Sequence, residues 1–100
     1  MRALVTGAGR RLGRAMAIYL GQRGYDVALH YAASRNDAES LAAELAAMGR
    51  KAVTLRADLL IEAQVETLIA KAAKGLGGPL TLLVNNASIF EHDSFASATR

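Results

Sequence analysis

Short apolar runs alternate along the chain with longer segments of helical periodicity. The runs at residues 3–6, 27–31, 52–55 and 80–85 are typical of buried strands. Between them, apolar residues recur every three or four positions, which predicts three amphipathic helices. The expected core-facing residues are Leu12, Ala15, Met16, Tyr19 and Leu20 in the first helix, Ala38, Leu41, Ala42, Leu45 and Met48 in the second, and Ile61, Val65, Leu68, Ile69 and Ala72 in the third.

Glycine and polar residues mark where these helices are expected to begin and end. Asn36, followed three residues later by Glu39, resembles a capping box at the start of the second helix. The expected stops are Gly21 and Gly24 for the first helix, Gly49 for the second, and Gly75, Gly77, Gly78 and Pro79 for the third.

Regular alternation of strands and helices predicts an α/β fold with a parallel sheet covered on both faces. We expect a Rossmann-type doubly wound sheet with four strands in the order 3-2-1-4 and three helices. Such sheets normally have about six strands. Residues 1–100 are therefore expected to be the N-terminal part of a single dinucleotide-binding domain, incomplete on its own, with the fourth strand as a bare edge.

Composition narrows the class of protein. With 52% hydrophobic and 21% charged residues and no cysteine, the chain is expected to be globular and without disulfides or thiolate metal sites. No apolar run approaches the ~20 residues that span a bilayer, so we expect a cytoplasmic protein with no membrane partner. The net charge of +3 includes Arg10, Arg11 and Arg14 in one short stretch. Basic residues are not interleaved with aromatic ones, which disfavours nucleic acid and favours a small anion.

A glycine-rich turn lies where the first strand meets the first helix. Gly7, Gly9 and Gly13 allow a sharp turn and a close ligand approach, and the following helix directs free N–H groups at that ligand. Pyrophosphate of a dinucleotide suits this position. A P-loop is excluded because Gly13 is followed by Arg14 and Ala15 rather than by Lys and Ser or Thr.

The end of the second strand indicates which dinucleotide binds. An acid that would bind a ribose 2′-hydroxyl is absent there, and the segment from His30 and Tyr31 leads instead to Ser34 and Arg35. A hydroxyl and a guanidinium suit a 2′-phosphate, with Arg10 or Arg11 nearby, so NADP is favoured over NAD. The alternative is that Ser34 and Asn36 only cap the second helix while Arg35 is solvated.

Polar residues also follow the third and fourth strands. Asp58 is placed to accept a hydrogen bond from the adenine amino group, or alternatively to act as the N-cap of the third helix. Asn85 and Asn86 end the fourth strand at the same edge of the sheet, where their amides would tie neighbouring strands and the cofactor ribose together.

Together these motifs resemble the short-chain dehydrogenase/reductase family over essentially the whole chain. The shared features are Thr6-Gly7 with Gly13, Asp58 after the third strand, and Asn85-Asn86-Ala87 after the fourth. Three features are similar to the pteridine reductase branch: Arg11 where the family usually has glycine, His30-Tyr31 at the end of the second strand, and Ser88 after Ala87, followed two residues later by Phe90. The cofactor site that the resemblance implies comprises Gly7, Arg10, Arg11, Leu12, Gly13, His30, Tyr31, Ser34, Arg35, Asp58, Leu59, Asn86, Ala87 and Ser88.

The resemblance also implies a substrate site. Phe90 would stack on a pterin-like ring, while Arg11 and Ser88 hydrogen-bond to the pterin or to cofactor phosphate. The alternative is that Phe90 is ordinary apolar surface of a loop and Ser88 a turn residue. A metal site at Glu91, His92 and Asp93 is not expected, because three adjacent side chains on a loop do not readily converge on one ion.

The activity that the resemblance implies is hydride transfer from NADPH to a C=O or C=N bond. The family's proton donor, a tyrosine followed four residues later by a lysine, is not identifiable within residues 1–100, so no catalytic residue is assigned here. Family members tend to form homotetramers. Two alternatives stay open: a reductase of another carbonyl compound, such as a ketoacyl thioester, sugar or ketone, and a catalytically inactive nucleotide-binding protein.

Overall fold

In a computed structural model, which describes residues 1–8, 11–58 and 62–85, strands and helices alternate throughout. The strands are β1 (Arg2–Thr6), β2 (Asp26–Tyr31), β3 (Ala52–Arg56) and β4 (Leu82–Asn85). The helices are α1 (Arg11–Gln22), α2 (Arg35–Ala47) and α3 (Glu62–Leu76). The predicted elements are all present. One end of each strand is shifted by one or two residues from its predicted position.

The four strands form one parallel sheet in the order β3-β2-β1-β4. Val5 of β1 lies between Leu29 of β2 and Val84 of β4, and His30 pairs with Leu55 of β3. The predicted α/β class, Rossmann-type topology and strand order are confirmed. Because all four strands are parallel, their carboxyl ends lie along the same edge of the sheet.

Alternate residues of the inner strands supply two cores, one on each face of the sheet. On one face, Val5 and Leu29 pack with Leu41 and Leu45 of α2. On the other face, Leu4 and Ala28 pack against α3, whose buried residues are Leu68, Ala72 and Leu76. Burial on both faces explains why β1 and β2 are almost continuously apolar.

Helix α1 buries a different face from the one predicted. Leu12 is 62% exposed and Tyr19 52% exposed, and the Tyr19 ring lies 4.6 Å from the guanidinium carbon of Arg23. Leu20 is buried as predicted, and the other buried residues are Gly13, Ala17 and Gly21. Small side chains let the helix approach the sheet and α2 closely, so the contact face follows residue size rather than hydrophobicity alone.

The predicted ends of the helices need three corrections. Helix α1 continues through Gly21, and Gly24, with φ of 97°, follows it in the turn to β2. Helix α2 begins at Arg35 with Ser34 as its N-cap, so Asn36 lies inside the helix and the predicted capping box is wrong. Helix α3 likewise continues through Gly75 to Leu76.

Strand β4 is the more exposed side of the sheet. Among the described residues it pairs only with β1, and Leu83 is 51% exposed. Ile69 of α3, predicted to face the core, is 40% exposed and borders the same surface. Across the described part of the chain, no helix combines the length and apolar character needed to cross a membrane.

Candidate functional site

The candidate site lies at the carboxyl edge of the sheet, where ligands of open α/β folds bind. Thr6 and Asn85 pair directly at the ends of β1 and β4, and Tyr31 pairs with Arg56 at the ends of β2 and β3. The sheet topology therefore brings together polar segments that are up to 79 residues apart in the sequence.

Gly7 turns the backbone directly after β1. Its φ of 63° is in the left-handed region, which a residue without a Cβ adopts at little cost. Its N–H donates to Nδ1 of His30 over 3.0 Å, and the next N–H, that of Ala8, donates to the His30 carbonyl over 2.9 Å. The predicted glycine turn is thus held at two successive backbone amides by one residue of β2.

His30 is enclosed at this edge, with 2% of its surface exposed. Its Nε2 lies 2.9 Å from the carbonyl oxygen of Ala57, just after β3. Burial lowers the pKa of His30 below its ordinary value, and the hydrogen bond to Ala57 partly offsets that effect. Both ring nitrogens thus bind backbone groups, so the predicted contribution of His30 to the cofactor site would be made through Gly7 and Ala57.

The first turn of α1 presents predicted site residues to solvent. Arg11 and Leu12 are exposed there, whereas Gly13 is buried against the sheet. The N-terminal N–H groups of a 12-residue helix point toward the same edge, where the positive end of the helix dipole favours an anion.

The segment after β2 was predicted to distinguish a 2′-phosphate from a hydroxyl. Tyr31 is buried, and its carbonyl accepts from the N–H of Ala57 over 3.2 Å. Ser34 holds the N-cap position of α2, yet its side chain makes no capping hydrogen bond. The helix-capping alternative is therefore not supported for the Ser34 hydroxyl.

Arg35 extends from the first residue of α2 and its side chain is 71% exposed. Its Nε donates to Oε2 of Glu39 over 3.1 Å, a hydrogen bond that raises the pKa of the guanidinium. Glu39, expected in a capping box, pairs with this arginine instead. An exposed pair of this kind contributes little to stability, so Arg35 is easily redirected toward an anion.

Asp58 lies beyond the end of β3 with its side chain exposed. Its N–H donates to Oε1 of Gln64 over 2.7 Å. Helix α3 is described from Glu62 onward, and the alternative that Asp58 is its N-cap depends on residues 59–61, which lie outside the described residues. Arg56, Ala57 and Gln64 line a surface groove between β3 and α3 beside it.

Asn85 ties β4 to β1, as predicted for an amide at this edge. The Thr6 hydroxyl, only 4% exposed, donates to Oδ1 of Asn85 over 2.9 Å. Sequence reasoning included Thr6 in the glycine motif but missed its bond to Asn85, and it missed the carbonyl of Ala57 that anchors His30. A threonine ending an apolar strand was the available signal for the Thr6 contact. The Ala57 contact had no such signal, because every residue has a backbone carbonyl.

Several predicted site residues lie outside the described part of the chain. They are Arg10, Leu59, Asn86, Ala87, Ser88 and Phe90, together with Gly9 and the rejected metal candidates Glu91, His92 and Asp93. In the described ranges, no three His, Asp or Glu side chains form a group that would hold a metal ion.

The family model described as short chain dehydrogenase matches residues 1–100 of this chain. The chain belongs to the short-chain dehydrogenase family. A curated relative, the 3-oxoacyl-[acyl-carrier-protein] reductase FabG of Staphylococcus aureus, is 39% identical over 87 residues, covering 87% of this chain and 35% of its own length.

Solved structures share this fold. A short chain dehydrogenase from Burkholderia cenocepacia in complex with NADP has a TM-score of 0.84 at 42% identity, covering 89% of this chain and 36% of that one. FolM alternative dihydrofolate reductase 1 from Brucella canis, complexed with NADP, has a TM-score of 0.80 at 39% identity, covering 89% and 35%. The chain thus spans about a third of the length of these relatives.

Proposed function

We propose that this chain provides the NADP-binding part of an NADPH-dependent short-chain reductase. One observation carries the proposal: the left-handed Gly7 turn is hydrogen-bonded to His30 beside the N-terminus of α1. This arrangement fits a dinucleotide, because it supplies a close backbone approach and an anion-favouring helix end at the carboxyl edge of a parallel sheet. Relatives solved with NADP or NADPH at 39–42% identity support the same cofactor.

Several of the described residues have defined tasks in this proposal. The Gly7 turn and the first turn of α1, with Arg11, hold the pyrophosphate. Ser34 and Arg35 bind the 2′-phosphate, for which a guanidinium provides charge-assisted hydrogen bonds. Asp58 accepts from the adenine amino group. When bound, NADPH supplies the hydride that reduces a C=O or C=N bond.

A pterin-like ring is the proposed substrate. The solved relatives include an alternative dihydrofolate reductase, an enzyme named for a pterin-containing substrate. Arg11 is exposed in the first turn of α1, where it would meet such a ring, with Ser88 and Phe90 as its proposed partners. The second candidate substrate is another carbonyl compound, favoured by the similarity to a 3-oxoacyl reductase.

Other properties of the whole protein complete the proposal. Residues 1–100 would form the N-terminal part of one dinucleotide-binding domain of a cytoplasmic homotetramer whose partners are small molecules rather than nucleic acid. The proton donor would be supplied outside residues 1–100.

The test is a titration of the intact protein with NADPH and NADH, followed by oxidation assays of NADPH with dihydrobiopterin or a simple ketone as acceptor. NADPH binding with turnover of the pterin is expected. Tight NADPH binding with turnover of the ketone alone would retain the reductase and remove the pterin. Failure to bind either nucleotide would overturn the proposal.

A charge variant tests the location of the 2′-phosphate. Ala33, exposed just before Ser34, becomes a carboxylate in Ala33→Asp, which should repel the phosphate and shift preference toward NADH. Ala70→Asp, on the exposed surface of α3, adds the same charge away from the site and should leave the preference unchanged. Equal behaviour of the two variants would place the phosphate elsewhere.

A further inference from the structure

His30 is the residue through which three strand ends are joined. Its backbone carbonyl accepts from Ala8, its Nδ1 accepts from Gly7, and its Nε2 bonds to the carbonyl of Ala57, all over 2.9–3.0 Å. Gly7 begins the turn proposed to hold pyrophosphate, and Ala57 precedes Asp58, proposed to bind adenine. The two halves of the proposed site are therefore linked by one imidazole.

Only one protonation state of His30 satisfies both side-chain hydrogen bonds. A backbone N–H can only donate, so Nδ1 must carry a lone pair toward Gly7. A backbone carbonyl can only accept, so Nε2 must carry the proton toward Ala57. The ring is therefore neutral and is the Nε2–H tautomer, because the Nδ1–H tautomer would lose both hydrogen bonds.

We infer that His30 is a positioning residue of the cofactor site, whose neutral imidazole holds the Gly7 turn and the Ala57–Asp58 segment in the arrangement that binds NADPH. The inference rests on the proposed function. A second proton would sit on Nδ1, directly opposite the N–H of Gly7, and would replace attraction by repulsion between two donors. The Gly7 turn would have to move away, and affinity for the cofactor would fall with it.

The surroundings offer His30 little compensation for a positive charge. Burial lowers its pKa, and no ion pair to it forms among the described residues. The charged residues of the elements around His30 are Arg56 at the end of β3, Asp58 just after it, Glu62, Glu66, Lys71 and Lys74 on α3, and Arg11 at the start of α1. Except for Glu62, whose side chain is outside the described set, these side chains are exposed to solvent.

Two substitutions separate the two side-chain hydrogen bonds. In His30→Asn the amide oxygen takes the position of Nδ1, so the Gly7 bond is retained by a group that does not titrate. In His30→Gln the longer amide reaches the position of Nε2 and can donate to Ala57, while Gly7 loses its acceptor. The first variant removes the pH sensitivity of the turn together with the Ala57 bond, and the second removes the support of the turn itself.

The experiment is a fluorescence titration of the intact protein with NADPH between pH 7.5 and 5.5. Acidification should raise the dissociation constant of the wild type more than that of His30→Asn. The extra increase should be about threefold at the pH where only a third of the wild-type molecules retain the neutral ring. The 2′-phosphate titrates equally in both proteins, so the difference reports His30. His30→Gln should bind about tenfold more weakly than the wild type already at pH 7.5.

Independent measurements keep this inference separable from the proposed function. Nitrogen NMR of histidine-labelled protein without cofactor should show His30 as the Nε2–H tautomer; the opposite tautomer would overturn the positioning role whatever the protein binds. Tight NADPH binding with identical pH profiles for wild type and His30→Asn, down to the pH at which NMR shows the wild-type ring to be protonated, would also overturn it while leaving the proposed function intact. His92→Gln controls for the other histidine of the sequence and should keep the wild-type profile; loss of the pH dependence in that variant would assign it to His92 and overturn the role of His30. Wild type that binds no NADPH at pH 7.5 would reject both proposals.

Discussion

The hydroxyl of Thr6 lies 2.9 Å from the side-chain oxygen of Asn85, joining the ends of β1 and β4. Thr6 directly precedes Gly7, so this bond fixes the last residue of β1 before the chain turns. The carboxyl edge is therefore held from both sides of β1: Asn85 is bonded to Thr6 on the β4 side, and His30 is bonded to Gly7 on the β2 side.

Removal of the Thr6 hydroxyl should destabilise the carboxyl edge of the sheet. Thr6→Val keeps the approximate shape of a residue that is 4% exposed, and we expect it to lower the free energy of unfolding by about 1 kcal/mol in urea denaturation. Thr6→Ser, which retains the hydroxyl, should lose less. Thr81→Val is a matched control, because the Thr81 hydroxyl also bonds across to β1, at Arg2, but is exposed to water. An equal loss in Thr81→Val would show that burial of the Thr6 bond contributes nothing.

The contact between α1 and α2 should not tolerate a methyl group at Gly21. A Cβ there would lie 2.5 Å from Cδ2 of Leu45, which is fully buried, so Gly21→Ala should cost about 1–3 kcal/mol through overpacking. Gly75→Ala is the control in α3, where the nearest atom would be 3.3 Å away on Val53. Thermal unfolding should show a clear loss for the first variant and a change within about 1 kcal/mol for the second. A stable Gly21→Ala variant would contradict the close helix contact.

Stability should depend on pH through His30. Its pKa is lowered on folding from an ordinary value of 6.5, so the unfolded chain binds the proton more tightly than the folded one. The contribution of His30 to stability is therefore fully present above about pH 6.5 and is lost as the pH falls from there toward its folded pKa. Urea denaturation between pH 7.5 and 5 should show a steeper loss for wild type than for His30→Asn. Parallel curves would contradict a buried neutral histidine.

Arg35 should contribute to NADPH binding but not to NADH binding. Loss of a charge-assisted hydrogen bond in Arg35→Gln is expected to weaken NADPH binding about tenfold, with NADH affinity unchanged. Glu39→Gln frees the guanidinium from its present partner, so it should retain or improve NADPH affinity. Calorimetric titration of both variants with NADPH and with NADH measures these affinities. Equal losses for NADH and NADPH in Arg35→Gln would assign the arginine a general role in folding instead.

The fold was largely predictable because the alternation of apolar runs and helical periodicity is a local property of the sequence. Strand order and the position of Gly7 followed from it, since parallel strands joined by helices allow few topologies. The buried face of α1 was not predictable in this way. Tyr19 and Leu12 are more hydrophobic than Gly13 and Ala17, yet the close approach of α1 to the sheet selects the smaller residues.

The sequence by itself determined the chain's α/β class, the glycine turn at the start of α1, and the absence of an acid after β2, because each depends on residue types at short spacing. The tertiary structure alone decided what His30 does. Its neighbours Gly7 and Ala57 are 23 and 27 residues away along the chain, and both bonds involve backbone groups that every residue type possesses. Only the packing of three parallel strands determines which backbone amide and which carbonyl meet that ring.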